Sequence, residues 1–255
     1  MLEKILDYAL RTLFIDLNTR EVSHETLDED ASRTFLGGRG IGAWLLSAQP
    51  TIGALEPEAR LIFSTGPLTG SRIPASARMT VSAFSPLTGT IGNASVGGRL
   101  ALQMKRSGID VICITGRADR QTTLEIEDGK VRFTDSDIPA DMPLSSIFES
   151  FRSFKGSVAA VGSAAFSGCS YASIMVDGSF ASGRGGLGRV MGAKNLRALA
   201  IRGSGKTGVY DPQKEELART DIIRLFDASP AIMGRSGISR YGTAALVDLI
   251  ASRRM

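Results

Sequence analysis

The stretch STGPLTGSRIPASARMTVSAFSPLTGTIGNASVGG, Ser64 to Gly98, organises the reading of this chain. Small residues and glycines dominate it. Arg72 and Arg78 are its only charges, Arg99 lies at its edge, and it carries no carboxylate. The tetrad Pro-Leu-Thr-Gly occurs at Pro67–Gly70 and again at Pro86–Gly89, each a turn beside a strand-like run, Arg60–Ser64 and Met79–Phe84. A second acid-free segment of the same character, ASGRGGLGRVMGAKN, runs from Ala181 to Asn195. Where Cβ is missing, main-chain N–H groups can approach phosphate oxygens directly. Arginine adds a planar fork of donors that stays charged at any working pH. Together the two segments predict a surface for a large, flat, phosphorylated ligand.

Outward from these segments the patterning alternates between strands and short helices. Arg11–Glu25 reads as a hairpin turning at Asn18-Thr19-Arg20, and Asp28 or Asp30 is placed to cap a helix beginning near Ala31. GGRGIGAWLL, Gly37–Leu46, leads into a second helical run. Gly97–Ser107 predicts a helix with a glycine-rich start, Val111–Thr115 a buried strand, Thr122–Thr134 a hairpin turning at Asp128-Gly129, and Leu144–Phe151 a helix. Strand-like runs at Ser157–Val161 and Tyr171–Val176, a glycine-rich loop, a helix over Leu187–Lys194 and a strand at Ala198–Ile201 then echo the first half. Mixed hairpins and helices predict an α+β fold of two similar β-rich halves. The first residues, MLEKILDYAL, read as a helical turn or two leading into a strand.

Composition shifts after Gly203. The expected division is an α+β domain over 1–205 and a linker with helices over 206–255. Asp211-Pro212 supplies an N-cap with proline at the first helical position, and a further helix is expected over Ser239–Ile250.

The 255 residues are 43% hydrophobic and 22% charged, with a net charge of +4 from 30 basic and 26 acidic residues. The arginines are scattered beside glycines rather than clustered in a stripe, which argues against a nucleic-acid footprint. No apolar run reaches the ~20 residues of a membrane span, and a cytoplasmic location is expected. Cys113 and Cys169 lie far apart in apolar runs and read as buried free thiols, and His24, the only histidine, reads as solvated. No metal or iron–sulfur site can be built from such ligands, and no catalytic residue is assigned. Gly183, Gly185 and Gly188 satisfy G-x-G-x-x-G, but the strand does not immediately precede them and no acid follows between Arg197 and Lys206, so a dinucleotide site is disfavoured.

Anion binding by two loops remains. Gly97 and Gly98 are expected to open one helix, and Gly185 and Gly186 another, each offering unpaired N–H groups. Arg78 and Arg184 supply charge-assisted donors, while Asn93 and Ser95 offer oxygens to a hard cation bridging two phosphates. The same glycines serve equally as tight turns joining packed elements, with both arginines simply solvated.

At these residues the chain resembles the aldehyde ferredoxin oxidoreductases, tungsten- or molybdenum-dependent enzymes with a bis-pterin cofactor. The matching words are GGRGIGAWLL (Gly37–Leu46), STGPLTG (Ser64–Gly70), SPLTGTIGNASVGG (Ser85–Gly98) and ASGRGGLGRVMGAKNLRALAIRG (Ala181–Gly203), in matching order and spacing. Tyr241-Gly242-Thr243 resembles the start of the family's next domain. The resemblance implies an N-terminal domain of two similar halves on which two pterins lie, their phosphates joined by magnesium. It places Arg78 between a pterin and a [4Fe–4S] cluster. It also places Asn93, Ala94, Ser95, Gly97 and Gly98 in one pterin- and magnesium-contacting segment, with Asn93 at the magnesium, and Arg184, Gly185 and Gly186 in the other.

The parts of the family's helical domains that carry the cluster's cysteines and the acid–base residues have no counterpart in this sequence. The resemblance therefore implies the cofactor-platform portion of an enzyme oxidising aldehydes to carboxylates, with electrons leaving for ferredoxin. The isolated, truncated chain is expected to be inactive, and a cluster is expected only if its ligands come from the missing domains, for example on a second chain. The alternative is a non-catalytic binding or assembly module that keeps the fold and self-associates into a homo-oligomer.

Overall fold

A computed structural model describes residues 9–50, 52–136, 138–235 and 237–252. The expected helical start within MLEKILDYAL lies almost wholly outside these residues. The described chain forms two compact units. One runs up to Gly70 and resumes over Ala77–Thr207; the other comprises Ser71–Ser76 and the residues from Gly208 onward.

The first unit is built on two six-stranded mixed sheets. The strands are β1 (Arg11–Asp16), β2 (Val22–Thr26), β3 (Leu61–Thr65), β4 (Met79–Phe84), β5 (Ile91–Val96), β6 (Val111–Thr115), β7 (Thr122–Glu127), β8 (Lys130–Asp135), β9 (Ser157–Ala160), β10 (Ile174–Val176), β11 (Phe180–Ser182) and β12 (Leu196–Arg202). The first sheet has the order β2-β1-β6-β3-β4-β5 and the second, read from its other edge, β8-β7-β12-β9-β10-β11. In each sheet the hairpin strand pairs parallel with the last strand of its half, β1 with β6 and β7 with β12. The remaining neighbours are antiparallel. The same topology is thus written twice, as the echo in the sequence and the α+β expectation required.

Helices α1 (Glu29–Phe35), α2 (Gly38–Ser47), α3 (Leu100–Arg106), α4 (Leu144–Ser150), α5 (Ser163–Phe166) and α6 (Leu187–Ala193) connect the strands. Alternation along the strands sorts side chains to two faces. Leu61 and Phe63 of β3, Ile112 and Ile114 of β6, and Leu199 and Ile201 of β12 join Leu100 and Met104 of α3 and Val190 and Met191 of α6 in one core shared by both halves. Ile62, Val111 and Cys113 face the other way, under Ile41, Leu45 and Leu46 of α2. Ala198 and Ala200 do the same under Ile147 of α4. Cys113 is a core residue whose thiol burial pushes up to about 11, leaving it neutral at ordinary pH. Cys169 is only half-buried, unlike its expected state, because it lies in the turn after α5 rather than in a strand. His24 is exposed on β2 as expected.

The halves lock together through their turns. Ser85, which opens the β4–β5 turn, donates from Oγ to the Gly185 carbonyl ahead of α6 at 2.8 Å. Asp177, in the β10–β11 turn, accepts the Arg99 N–H ahead of α3 at 2.9 Å. Each half's turn therefore holds the start of the other half's helix.

Asp110 leads into β6 as the buried centre of an ion cluster, with Lys105 Nζ on Oδ1 at 2.5 Å and Arg11 Nε on Oδ2 at 3.0 Å. Burial alone would raise its carboxyl. The Lys105 charge and the hydrogen bonds from Arg11 and Lys105 outweigh that and hold it below its ordinary value of 3.8. The unfolded chain then takes up this proton before the folded chain does. The cluster's stabilisation is complete above the ordinary value and is lost as pH falls through the lower folded one. Asp110→Ala is expected to cost about 3 kcal/mol at pH 7, because Lys105 would be left nearly buried and unpaired. In urea titrations from pH 7 to pH 2.5 the variant should also lose part of the wild-type acid sensitivity. Parallel wild-type and variant pH profiles would contradict the assignment.

In the second unit, α7 (Pro212–Asp227) is capped by Asp211, whose side chain accepts from the Gln213 and Lys214 N–H groups. The Arg72 N–H donates to Glu215 Oε1 at 2.7 Å, and its guanidinium pairs with Glu216 Oε2 at 2.8 Å. The single helix expected over Ser239–Ile250 is broken into Ile238–Tyr241, a 3-10 turn over Gly242–Leu246, and Val247–Ser252. Gly242, at φ 60° and ψ −152°, cannot continue a right-handed helix in that conformation. Among the described residues no helix is long and apolar enough to cross a membrane.

Candidate functional site

The strands β5 and β11 are the elements that sequence patterning missed. Asn93–Gly98 reads as a loop, yet Ile91–Val96 pairs with β4 in full register, placing Asn93 opposite Ser82, Ala94 opposite Val81 and Ser95 opposite Thr80. Phe180–Ser182 likewise pairs with β10. Both are edge strands, one on each sheet. Neither has an apolar alternation of its own, so only pairing with the adjacent strand defines it.

A concavity of about 400 Å³ is lined by Arg39, Arg78, Asn93, Ala94, Ser95, Ala181, Gly183 and Arg184. That volume falls within the range of small-molecule sites. Arg78, just before β4, donates from Nε to Ser95 Oγ and from Nη2 to the Ser95 carbonyl, both at 3.0 Å. These bonds commit one edge of the guanidinium and aim its terminal fork. Arg39 and Arg184 are exposed and make no hydrogen bond or ion pair with any described residue. No carboxylate lines the concavity, so three guanidiniums face it without local neutralisation. Such a donor set fits an anion with several oxygens.

Sequence reasoning named Arg78, Asn93, Ala94, Ser95 and Arg184, and the fold brings these five onto one surface. Four glycines it named lie outside that lining. α3 begins at Leu100 with Arg99 at its N-cap, so Gly97 and Gly98 precede the helix instead of opening it. A Cβ on Gly97 would meet the Phe180 ring at 3.1 Å, and one on Gly98 (φ +91°) the Val176 side chain at 2.8 Å. Both glycines serve the contact between halves. Gly186 is the N-cap of α6, and a Cβ there would fall 1.9 Å from the Ser170 carbonyl oxygen. The Gly188 N–H donates to the Ala172 carbonyl at 2.9 Å, and residues 170–172 stay out of the strand expected from Tyr171, with β10 starting at Ile174. Gly185 (φ +68°) has ordinary room, its nearest neighbour being Gly92 Cα at 3.5 Å.

Ser95 is poorly suited to a cation, because its hydroxyl and carbonyl both face the Arg78 guanidinium. Asn93 is the remaining neutral oxygen donor among the two residues considered for that role. No group of three or more His, Cys, Asp or Glu among the described residues could hold a metal ion. Arg39, Ala181 and Gly183 were missed as lining residues. Their only signal was position, since all three lie inside glycine-rich words, GGRG and ASGRGG.

The profile of the family described as aldehyde ferredoxin oxidoreductase, N-terminal domain, matches residues 12–203. A tungsten-containing aldehyde ferredoxin oxidoreductase of Pyrococcus furiosus is 35% identical over 246 residues, covering 94% of this chain and 40% of the relative. The enzyme of the same description from Pyrococcus abyssi is 36% identical over 250 residues, covering 95% of this chain and 41% of the relative. Among solved structures, the active-site complex BamBC of benzoyl coenzyme A reductase, in complex with 1,5-dienoyl-CoA, superposes with a TM-score of 0.80 at 29% identity, over 88% of this chain and 35% of that one. The chain thus spans about two-fifths of the length of these curated relatives.

Proposed function

The chain belongs to the aldehyde ferredoxin oxidoreductase family through its N-terminal domain, and on that footing we propose that it is the cofactor platform of a tungsten or molybdenum bis-pterin oxidoreductase. The observation that carries the reading is the concavity faced by Arg39, Arg78 and Arg184 and lined by no carboxylate. The bound group would supply two-electron redox chemistry at its metal, oxidising an aldehyde to a carboxylate. This chain's own residues bind and orient. Arg78, fixed by Ser95, presents a preset fork to the pterin or its phosphate, and Arg184 reaches the phosphates from the second half. Asn93 would offer an oxygen to a magnesium ion, and the Gly183 backbone would let a flat ring system approach.

Electrons would leave for ferredoxin through a [4Fe–4S] cluster. Cys113 is buried in the core and Cys169 stands apart from it in sequence, so the cluster's thiolates would come from outside the described residues, on a further domain or a partner chain.

The test is co-expression with a chain carrying the part of the relatives that this sequence does not span. Tungsten or molybdenum by elemental analysis and pterin fluorescence after release should co-purify with the complex, and the isolated chain should oxidise no aldehyde. A second reading, a self-associating module without chemistry, draws on exposed Leu217, Leu225, Tyr241 and Val247 in the second unit. A metal-free, pterin-free homo-oligomer that ignores the co-expressed chain would favour that second reading over the first.

A further inference from the structure

Resting on that reading of the concavity, we propose that Arg39 is an anion-gripping residue of the site, placed there at a cost to the stability of the ligand-free fold. Arg39 is the second residue of α2, and the start of this helix is pinned. Gly37 caps it at φ +111°, where a Cβ would lie 2.3 Å from the Thr65 carbonyl oxygen. The Ser64 hydroxyl donates to the Gly38 carbonyl at 2.8 Å. The backbone beneath Arg39 is therefore held against the end of β3 while the side chain stays exposed toward the concavity.

For helix stability this residue is on the wrong end. The first turn of a helix carries partial positive charge, which favours Asp or Glu and disfavours a cation. α2 has no acid in that turn and no side-chain cap. Positions three and four away in either direction are Phe35, Leu36, Gly42 and Ala43, so no carboxylate is within helical reach. Arg39 accordingly has no ion-pair partner among the described residues. A cation kept at the positive end of a helix, unneutralised and lining a carboxylate-free concavity, is accounted for by an anionic ligand.

Its role complements that of Arg78. One edge of the Arg78 guanidinium is committed to Ser95, which leaves its terminal fork for a single bidentate contact. Arg39 and Arg184 retain both edges. Three forks match a ligand carrying at least two phosphate groups better than one carrying a single carboxylate.

Inorganic pyrophosphate is the probe, titrated calorimetrically into the intact chain at low salt. Arg39→Gln should weaken binding about tenfold, the loss of one charge-assisted contact. It should also raise the ligand-free melting temperature by about 1–3 °C, since the misplaced charge is gone. Arg39→Lys keeps the charge but not the fork, and should recover part of the affinity and none of the thermal gain. If Arg39→Gln binds as wild type while Arg184→Gln binds weakly, the role of Arg39 is refuted and the concavity stands. If wild type itself does not bind pyrophosphate, the reading of the concavity fails and this inference fails with it.

Discussion

Gly186→Val is expected to leave the first unit unable to fold. The substituted Cβ would have to occupy a point 1.9 Å from the Ser170 carbonyl oxygen, in a backbone conformation of φ +67°. The conformational part alone costs roughly 1–2 kcal/mol for a residue with Cβ, and more for a β-branched one. The overlap is with backbone, which cannot swing aside as a side-chain tip would. Relieving it means pulling α6 away from residues 170–173 and opening the core that Val190 and Met191 fill. Several kcal/mol lost at one position exhausts the margin of an ordinary domain. Gly185→Val is the matched control. Its φ is nearly the same, +68°, but its nearest neighbours stand at 3.5 and 3.6 Å, so it should fold with a loss of about 2–3 kcal/mol, the conformational part alone. Soluble yield and urea midpoints of the pair are the measurement. Equal midpoints would show that the close approach at Ser170 is not what requires glycine at Gly186.

Arg184→Ala is expected to reduce cofactor occupancy roughly 30- to 100-fold in affinity, the scale of one bidentate charge-assisted contact. The side chain is exposed and bonded to no described residue, so the ligand-free fold should melt within a degree or two of wild type. Arg78→Ala should behave differently. It removes a fork of its own but also releases Ser95 Oγ and carbonyl from their donor, which loosens the outer strand β5. Pterin released per mole of protein, measured beside thermal melts, separates these outcomes. Full pterin occupancy in Arg184→Ala would remove the second half's contribution to the site.

Much of the fold was legible because its signals are local. Asn18-Thr19-Arg20 and Asp128-Gly129 turn hairpins by conformational preference, and β1 with β2 and β7 with β8 pair around them. Asp28 caps α1 with a 3.0 Å bond to the Ala31 N–H, and Asp211 caps α7. β3 opens with the apolar run Leu61–Phe63 and β6 with Val111–Ile114, the mark of strands covered on both faces. The glycine words read as places where the backbone comes close to an anionic ligand. What they approach was not legible, because a glycine spared for a ligand and one spared for a neighbouring carbonyl look alike in sequence. Gly97, Gly98 and Gly186 meet the other half or the chain's own backbone.

The chain's linear pattern settled the α+β class, the repeated half and the arginine- and glycine-rich words that mark the family, since turns, caps and strand alternation act over a few neighbouring residues. The site itself needed the folded molecule. Arg39, Arg78 and Arg184 meet because two edge strands, β5 and β11, each without a pattern of its own, are held by pairing with β4 and β10. Charges scattered over almost 150 positions become one field only when long-range strand pairing brings them to a common surface, and no short window of sequence encodes that distance.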